Sequence, residues 1–300
     1  MTATHQAQLT VRGRYDLRQA KNFLEAWPPG DPGPLEEGLQ FTYCAPPDWT
    51  PTTVRVTQQQ GSTALTLKAS APVTPTLRDD VARILSVDVD GSALDDIAAR
   101  DPVVATLIRT SPGLRPVCFW SPWEAACWAV LSQRTSRHVA SALKQRITQL
   151  LGPRVDFGEL AGDYVGEYVG AAFPPPRTVA EADSLPGVNP VKLERIQAIA
   201  RAADDGALDA AALRAMPTGQ ALDHLQQLPG IGPFSAHLIL IRAVGAPDVF
   251  PATEPRLLNG MRAAYRLPDA DDHELTQIAD NWKPLRSWIS FLIRAAPAAQ

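Results

Sequence analysis

The chain has 300 residues, enough for two or three small domains with real cores. Its net charge of −4 excludes a protein that coats DNA by charge alone, although a local basic face remains open. Hydrophobic content is 45%, which suits a globular protein, and no apolar run approaches the ~18 residues that a membrane span needs.

The N-terminus carries no apolar signal core, so a cytoplasmic protein is expected. Cys44, Cys118 and Cys127 are too scattered for a disulfide framework and too few for a four-cysteine iron–sulfur site. They read as buried or neutral thiols. His5, His138, His224, His237 and His273 show no zinc spacing, so no metal site is expected.

Residues 1–5 read as a loose tail. Residues 8–14 alternate as a strand, and 16–26 form a helix with Asp16 near its start. The proline- and glycine-rich stretch 27–38 is a loop. Strands follow at 39–44, 53–58 and 63–69, with Gly61 in a turn, then a helix at 75–85. The first ~90 residues therefore predict a small α+β unit with an antiparallel sheet.

From Ser92 onward the pattern is helical, with short helices at 93–99 and 102–110. Ser121-Pro122-Trp123-Glu124 reads as a capping box with proline just inside the start of a helix that reaches Leu131. Ser132-Gln133-Arg134-Thr135-Ser136 interrupts it, and a second long helix runs to Leu151, stopped by Gly152-Pro153. Residues 157–173 are ambiguous, and 173–178 form an extended proline link. Helices follow at 178–185, with Thr178 as cap, and at 192–204, 209–216, 219–227, 256–265 and 272–282. A last helix, opened by Lys283-Pro284-Leu285-Arg286-Ser287, reaches Arg294 ahead of a frayed end. No internal repeat is apparent.

Residues 225–256 carry the most information. A helix runs to Leu228, where Pro229 cannot continue it. Gly230 and Gly232 then supply backbone shapes that a Cβ would resist. A second helix starts at about Pro233, where a missing N–H costs nothing. The glycine N–H groups and the new helix N-terminus point outward together, a ready site for a phosphate oxygen. Gly245 caps the second helix, and Asp248-Val249-Phe250-Pro251 leads, after two residues, to the carboxylate of Glu254.

Pro229-Gly230-Ile231-Gly232 followed by a small-residue helix resembles the helix-hairpin-helix DNA-binding element. Adding the downstream acid Glu254, Leu114-Arg115-Pro116, Gln133-Arg134-Thr135-Ser136 and the Trp282-Lys283-Pro284…Arg286-Ser287 string, residues 93–294 resemble the helix-hairpin-helix DNA glycosylases, in their alkylation-repair (3-methyladenine DNA glycosylase II-like) branch. The resemblance implies an α+β protein: a sheet domain over 1–90, then a helical glycosylase domain over 91–300. The latter would divide into a hairpin-bearing bundle (114–248) and a second subdomain made of 91–113 with 249–300.

The resemblance also implies roles. Glu254 stands where the family carries its catalytic aspartate, beside a sugar that develops positive charge as the base leaves. The damaged base is flipped out of double-stranded DNA. Pro229, Gly230, Ile231, Gly232 and Ser235 would hold the backbone, with a possible monovalent cation at the hairpin and no other cofactor. Gln133 and Arg134 would fill the gap in the duplex. Phe234, Leu238, Trp288 and Arg294 would form the base pocket; Phe234 keeps the family's aromatic character and Leu238 and Arg294 depart from it. Glycosylases that also cut the backbone carry a lysine just after the hairpin glycines. Pro233-Phe234-Ser235 stands there, which implies a monofunctional enzyme, expected as a monomer. Arg134, Arg137, Lys144, Arg146, Arg256, Arg262, Arg266, Lys283 and Arg286 gather near these segments as candidate phosphate contacts. Two other readings stay open: a lesion-binding protein without excision, and a helical scaffold whose hairpin meets a protein partner.

Overall fold

The computed structural model describes residues 5–27, 33, 37–156 and 169–296. A four-stranded antiparallel sheet is built from β1 (Gln6–Thr10), β2 (Leu39–Ala45), β3 (Thr50–Gln58) and β4 (Ala64–Ala69), in the order β1-β4-β3-β2. The register pairs Phe41 with Val54, Leu39 with Val56, Val56 with Leu67 and Leu9 with Leu65. With a side-chain period of two, these residues share one face. Helices α1 (Leu17–Ala26) and α2 (Pro75–Ile84) cover that face with Leu17, Ala20, Leu24, Leu77, Val81 and Ile84, all buried. Asp16 caps α1 as expected, accepting from the Arg18 N–H. Strand β3 starts earlier than predicted. At Pro51 it pairs with β2 alone, so the missing N–H leaves no ladder bond unmade on the other side.

The rest is helical: α3 (Ala93–Arg100), α4 (Pro102–Thr110), α5 (Pro122–Leu131), α6 (Arg137–Leu151), α7 (Pro176–Ala180), α8 (Pro190–Asp204), α9 (Ala210–Ala215), α10 (Thr218–Gln226), α11 (Pro233–Arg242), α12 (Pro255–Tyr265), α13 (Asp272–Asp280) and α14 (Arg286–Ala295). A small sheet followed by helices is the α+β class expected. One buried cluster joins α5, α8, α10 and α11, and α5 is buried on every side at its centre. A second joins α3, α4, α12, α13 and α14.

Several expectations change. Ser121 caps α5 by accepting from the Glu124 N–H, but the Glu124 carboxylate turns to Lys144 Nζ on α6, 2.6 Å away, in a buried pair. The ambiguous stretch holds a short antiparallel pair, β5 (Arg154–Asp156) with β6 (Val169–Ala171); 157–168 lie outside the described residues. Helix α7 opens at Pro176, because proline's fixed φ suits a first turn, so the link ahead of it is shorter than read. Helix α11 ends at Arg242, and Gly245 takes its positive φ of 75° beyond that end. Helix α14 starts at Arg286, not at Lys283. The predicted loose ends, at 1–4 and 297–300, and most of the 27–38 loop also lie outside the described residues.

Arg115 ties the sheet to the helices. Its guanidinium donates to the carbonyls of Arg12, Arg14, Ser86 and Val89 and lies 5.0 Å from the Trp288 ring centroid. A buried cation is tolerable only when its N–H groups are satisfied in this way.

Candidate active site

The hairpin turn joins α10 to α11. Gly230 has φ +84°, in the left-handed region that favours glycine. The buried side chain of Ile231 anchors the turn from below, while Pro229 and Gly232 face outward. Gly232 is the N-cap of α11, so its neighbouring N–H groups are unpaired within the helix. Ser235, half-buried, sits in the first turn.

The α5–α6 turn lies against this hairpin. Gln133 Nε2 donates to the Gly230 carbonyl at 2.6 Å, and Gln133 Oε1 accepts from Arg195 Nη1 at 3.0 Å. Lys192 Nζ holds the same turn through Leu131 O, 2.7 Å, and Thr135 Oγ1, 3.1 Å. Arg134, in the left-handed region at φ 52°, projects as an exposed side chain beside the hairpin segment so clamped. The predicted hairpin and turn residues therefore sit together. Gln133 spends its amide on the protein, and Arg134 is the exposed one of the pair.

The segment after α11 is held by the start of α14. Arg286 Nε and Nη2 grip Asp248 Oδ1 and Oδ2 at 2.8 and 3.1 Å. Ser287 Oγ accepts from Val249 N–H and donates to Val249 O. Two strings far apart in sequence, Asp248-Val249 and Arg286-Ser287, are thus one clamp. It delivers Glu254 to the N-cap of α12, where Oε2 accepts from Leu257 N–H at 2.8 Å. Arg294 Nε approaches the same oxygen at 3.3 Å. Oε1 accepts no hydrogen bond among the described residues. The glutamate side chain thus folds back onto the N-terminus of its own helix.

Glu254 lines a cleft of about 360 Å³. Phe234, Leu238 and Arg294 line it too, together with Arg137, His237, Arg242, Phe291 and, from α1 and its end, Phe23 and Trp27. Phe234 is 56% exposed, an apolar ring left uncovered. Leu238 both packs against the core and faces the cleft. His237 Nδ1 is tied to Pro233 O at 2.9 Å. Trp288 is not at the cleft: it is 2% exposed, buried under Arg115.

The candidate phosphate contacts divide sharply. Lys144 is buried on Glu124, the half-buried Arg286 pairs with Asp248, the half-buried Arg262 with Asp272 and the Ala270 carbonyl, and Lys283 pairs with Asp280. Arg134, Arg137, Arg146, Arg256 and Arg266 remain exposed. Among the described residues no cluster of three or more histidine, cysteine or acidic side chains could hold a metal ion. No helix is long and apolar enough to cross a membrane.

Comparison with known proteins places this geometry. No protein-family model matches the chain. A DNA-3-methyladenine glycosylase of Bacillus subtilis is 26% identical over 234 residues, 76% of this chain and 75% of that one. DNA-3-methyladenine glycosylase 2 of Escherichia coli is 32% identical over 182 residues, 59% of this chain and 58% of that one. In sequence the chain is thus similar to the alkylation-repair branch of the helix-hairpin-helix DNA glycosylases. The solved 3-methyladenine DNA-glycosylase of Archaeoglobus fulgidus shares this fold, with a TM-score of 0.77 over 96% of this chain and 97% of that one, at 18% identity.

Sequence reasoning missed three parts of the candidate site. Phe23 and Trp27 come from the sheet unit, and nothing local signals that they cross to the cleft. Arg242, at the end of α11, is not singled out by the sequence and is a cleft wall. The Asp248–Arg286 pairing had a signal, since Asp248 opens the string that leads to Glu254 and Arg286 lies in the string that starts at Trp282, but pairing across so many residues is a tertiary fact.

Proposed function

We propose that the protein is a monofunctional DNA glycosylase that excises alkylated bases from double-stranded DNA and leaves an abasic site, with Glu254 as its acid. The observation that carries this reading is the Glu254 carboxylate, 16% exposed, held at the wall of a cleft large enough for one base and next to the hairpin helix α11. In this reading the flipped base enters between Phe234 and Leu238, and Arg294 orients the acid. Loss of the base builds positive charge at the sugar, which the nearby carboxylate stabilises before water adds.

The N–H groups of Gly230 and Gly232, with Pro229, Ile231 and Ser235 beside them, would hold the DNA backbone; the Ile231 N–H itself donates to Leu228 O at 3.0 Å. Arg134 would enter the space left by the base, positioned by Gln133. Leu228 O and Gly230 O each accept one hydrogen bond and keep a second lone pair, so peptide oxygens at the turn fit a monovalent cation, which would offset phosphate charge. The lack of a lysine after the glycines supports hydrolysis alone, and the protein would act as a monomer. The 1–90 and 91–300 division would make the first unit a contributor to the cleft wall through Phe23 and Trp27.

The test is incubation with methylated duplex DNA, scored for abasic sites, for the native protein and Glu254→Gln. Excision by the native protein alone, with duplex binding kept by both, is the expected result. Binding without excision by the native protein would support lesion recognition instead.

A further inference from the structure

The charge on the cleft does not suit a base that is itself a cation. Three arginines line it, Arg137, Arg242 and Arg294, against one carboxylate, Glu254. Glu254 offsets Arg294 through the 3.3 Å contact. The other two guanidinium charges have no acidic partner among the described residues. Arg137, in the first turn of α6, is exposed and makes no ion pair among the described residues. Arg242 gives Nε and Nη2 to Val117 O, at 3.2 and 2.6 Å. Its guanidinium carbon lies 5.1, 4.4 and 5.0 Å from the ring centroids of Phe23, Trp27 and Phe291. Aromatic faces attract cations, and here the protein's own cation already occupies them. Burial, and then the Arg294 charge, pull Arg242 down to about 10, so it stays protonated at neutral pH.

Damaged bases differ in charge. A purine methylated on a ring nitrogen is a fixed cation and leaves the sugar as a neutral molecule. A neutral lesion, such as an etheno adduct or a deaminated purine, leaves with the bonding electron pair as an anion. Guanidinium groups without an acidic partner repel the first and stabilise the second.

We propose that this cleft selects neutral, acceptor-edged damaged bases over ring-nitrogen-alkylated cations, and that Arg137 and Arg242 set the preference. The inference rests on the glycosylase reading. In the step it describes, the bond from C1′ to the base nitrogen breaks and its electrons go to the base. Water adds to C1′, its proton passes to Glu254, and the departing anion takes a proton from solvent. Phe234, exposed and not covered by a cation, is the face left for stacking the neutral ring.

The experiment uses three duplexes of one sequence, carrying ethenoadenine, hypoxanthine or N7-methylguanine, and reads single-turnover excision divided by the spontaneous loss of each base. The native protein is expected to accelerate loss of one or both neutral bases at least about tenfold more than loss of the cation. Arg137→Gln, a surface change that leaves the core intact, is expected to cut that ratio about fivefold or more. Greater acceleration for N7-methylguanine, or a ratio unmoved by Arg137→Gln, overturns the inference while leaving the glycosylase reading in place. No excision from any of the three overturns both.

Discussion

Arg294 Nε and the Leu257 N–H converge on one oxygen of Glu254, Oε2, at 3.3 and 2.8 Å, and leave Oε1 without a hydrogen bond among the described residues. One carboxylate oxygen is thus used to hold the side chain, and the other is available to the cleft. Arg294 is also pulled below its usual range, by burial first, with Arg256 and Arg137 adding to the effect and Glu254 opposing it.

Positive charge on Arg294 works against positive charge developing on a sugar. Arg294→Met is expected to raise single-turnover excision by on the order of tenfold, because a unit charge a few Å away exceeds the ~1.4 kcal/mol that a decade in rate requires. A fall in rate would mean that orientation of Glu254 outweighs the charge effect.

Glu254→Asp tests the folded-back arm. Aspartate is a strong N-cap, so thermal unfolding should stay within about 1 kcal/mol of native. Excision should survive within roughly 100-fold, the scale of an ~1 Å displacement of the acid. Glu254→Ala should lose about 1 kcal/mol of stability through the lost cap, in addition to its activity.

Gly230→Ala places a Cβ 2.8 Å from Arg195 Cδ on a backbone at φ +84°. The Arg195 side chain can give, so the backbone dominates, at about 1–2 kcal/mol. Because Arg195 holds Gln133 Oε1, duplex binding should weaken while the fold persists; a binding curve matching the native one would contradict the clamp.

Arg115→Met removes a guanidinium that serves four carbonyls under Trp288. Orphaned buried acceptors cost roughly 1–3 kcal/mol each when water cannot replace the donor, so a loss of about 3 kcal/mol or more is expected by denaturant unfolding.

Burial pushes the Cys44 thiol up to about 12, with Glu124 adding to the effect, and burial raises Cys118 and Cys127 as well. At pH 8 the folded protein should react with a thiol reagent on the order of 100-fold more slowly than the unfolded chain, which exposes all three. Fast labelling of the native protein would show that one of them is accessible.

Much of this was legible because it is local. The turn at Pro229–Gly232 follows from residues that cannot continue a helix, and the caps at Asp16 and Ser121 from side chains that reach their own backbone. The sheet followed from alternation. The cleft was legible only through Glu254, Phe234, Leu238 and Arg294, which lie in or near recognisable strings. Trp288 was misplaced because a tryptophan's periodicity shows that it is buried, not what buries it. Arg286 looked like a phosphate contact because charge is visible in sequence and its partner, Asp248, is not. Arg242 and Trp27 meet across most of the chain, and no local pattern encodes that.

The central claim is that a single carboxylate, capping α12 at the edge of the cleft, drives base excision. The most direct measurement is the single-turnover release of a damaged base from one duplex by native protein and by Glu254→Gln, with duplex affinity measured in parallel. The account predicts at least about a 100-fold loss of rate with affinity unchanged. Equal rates for the two proteins would contradict it.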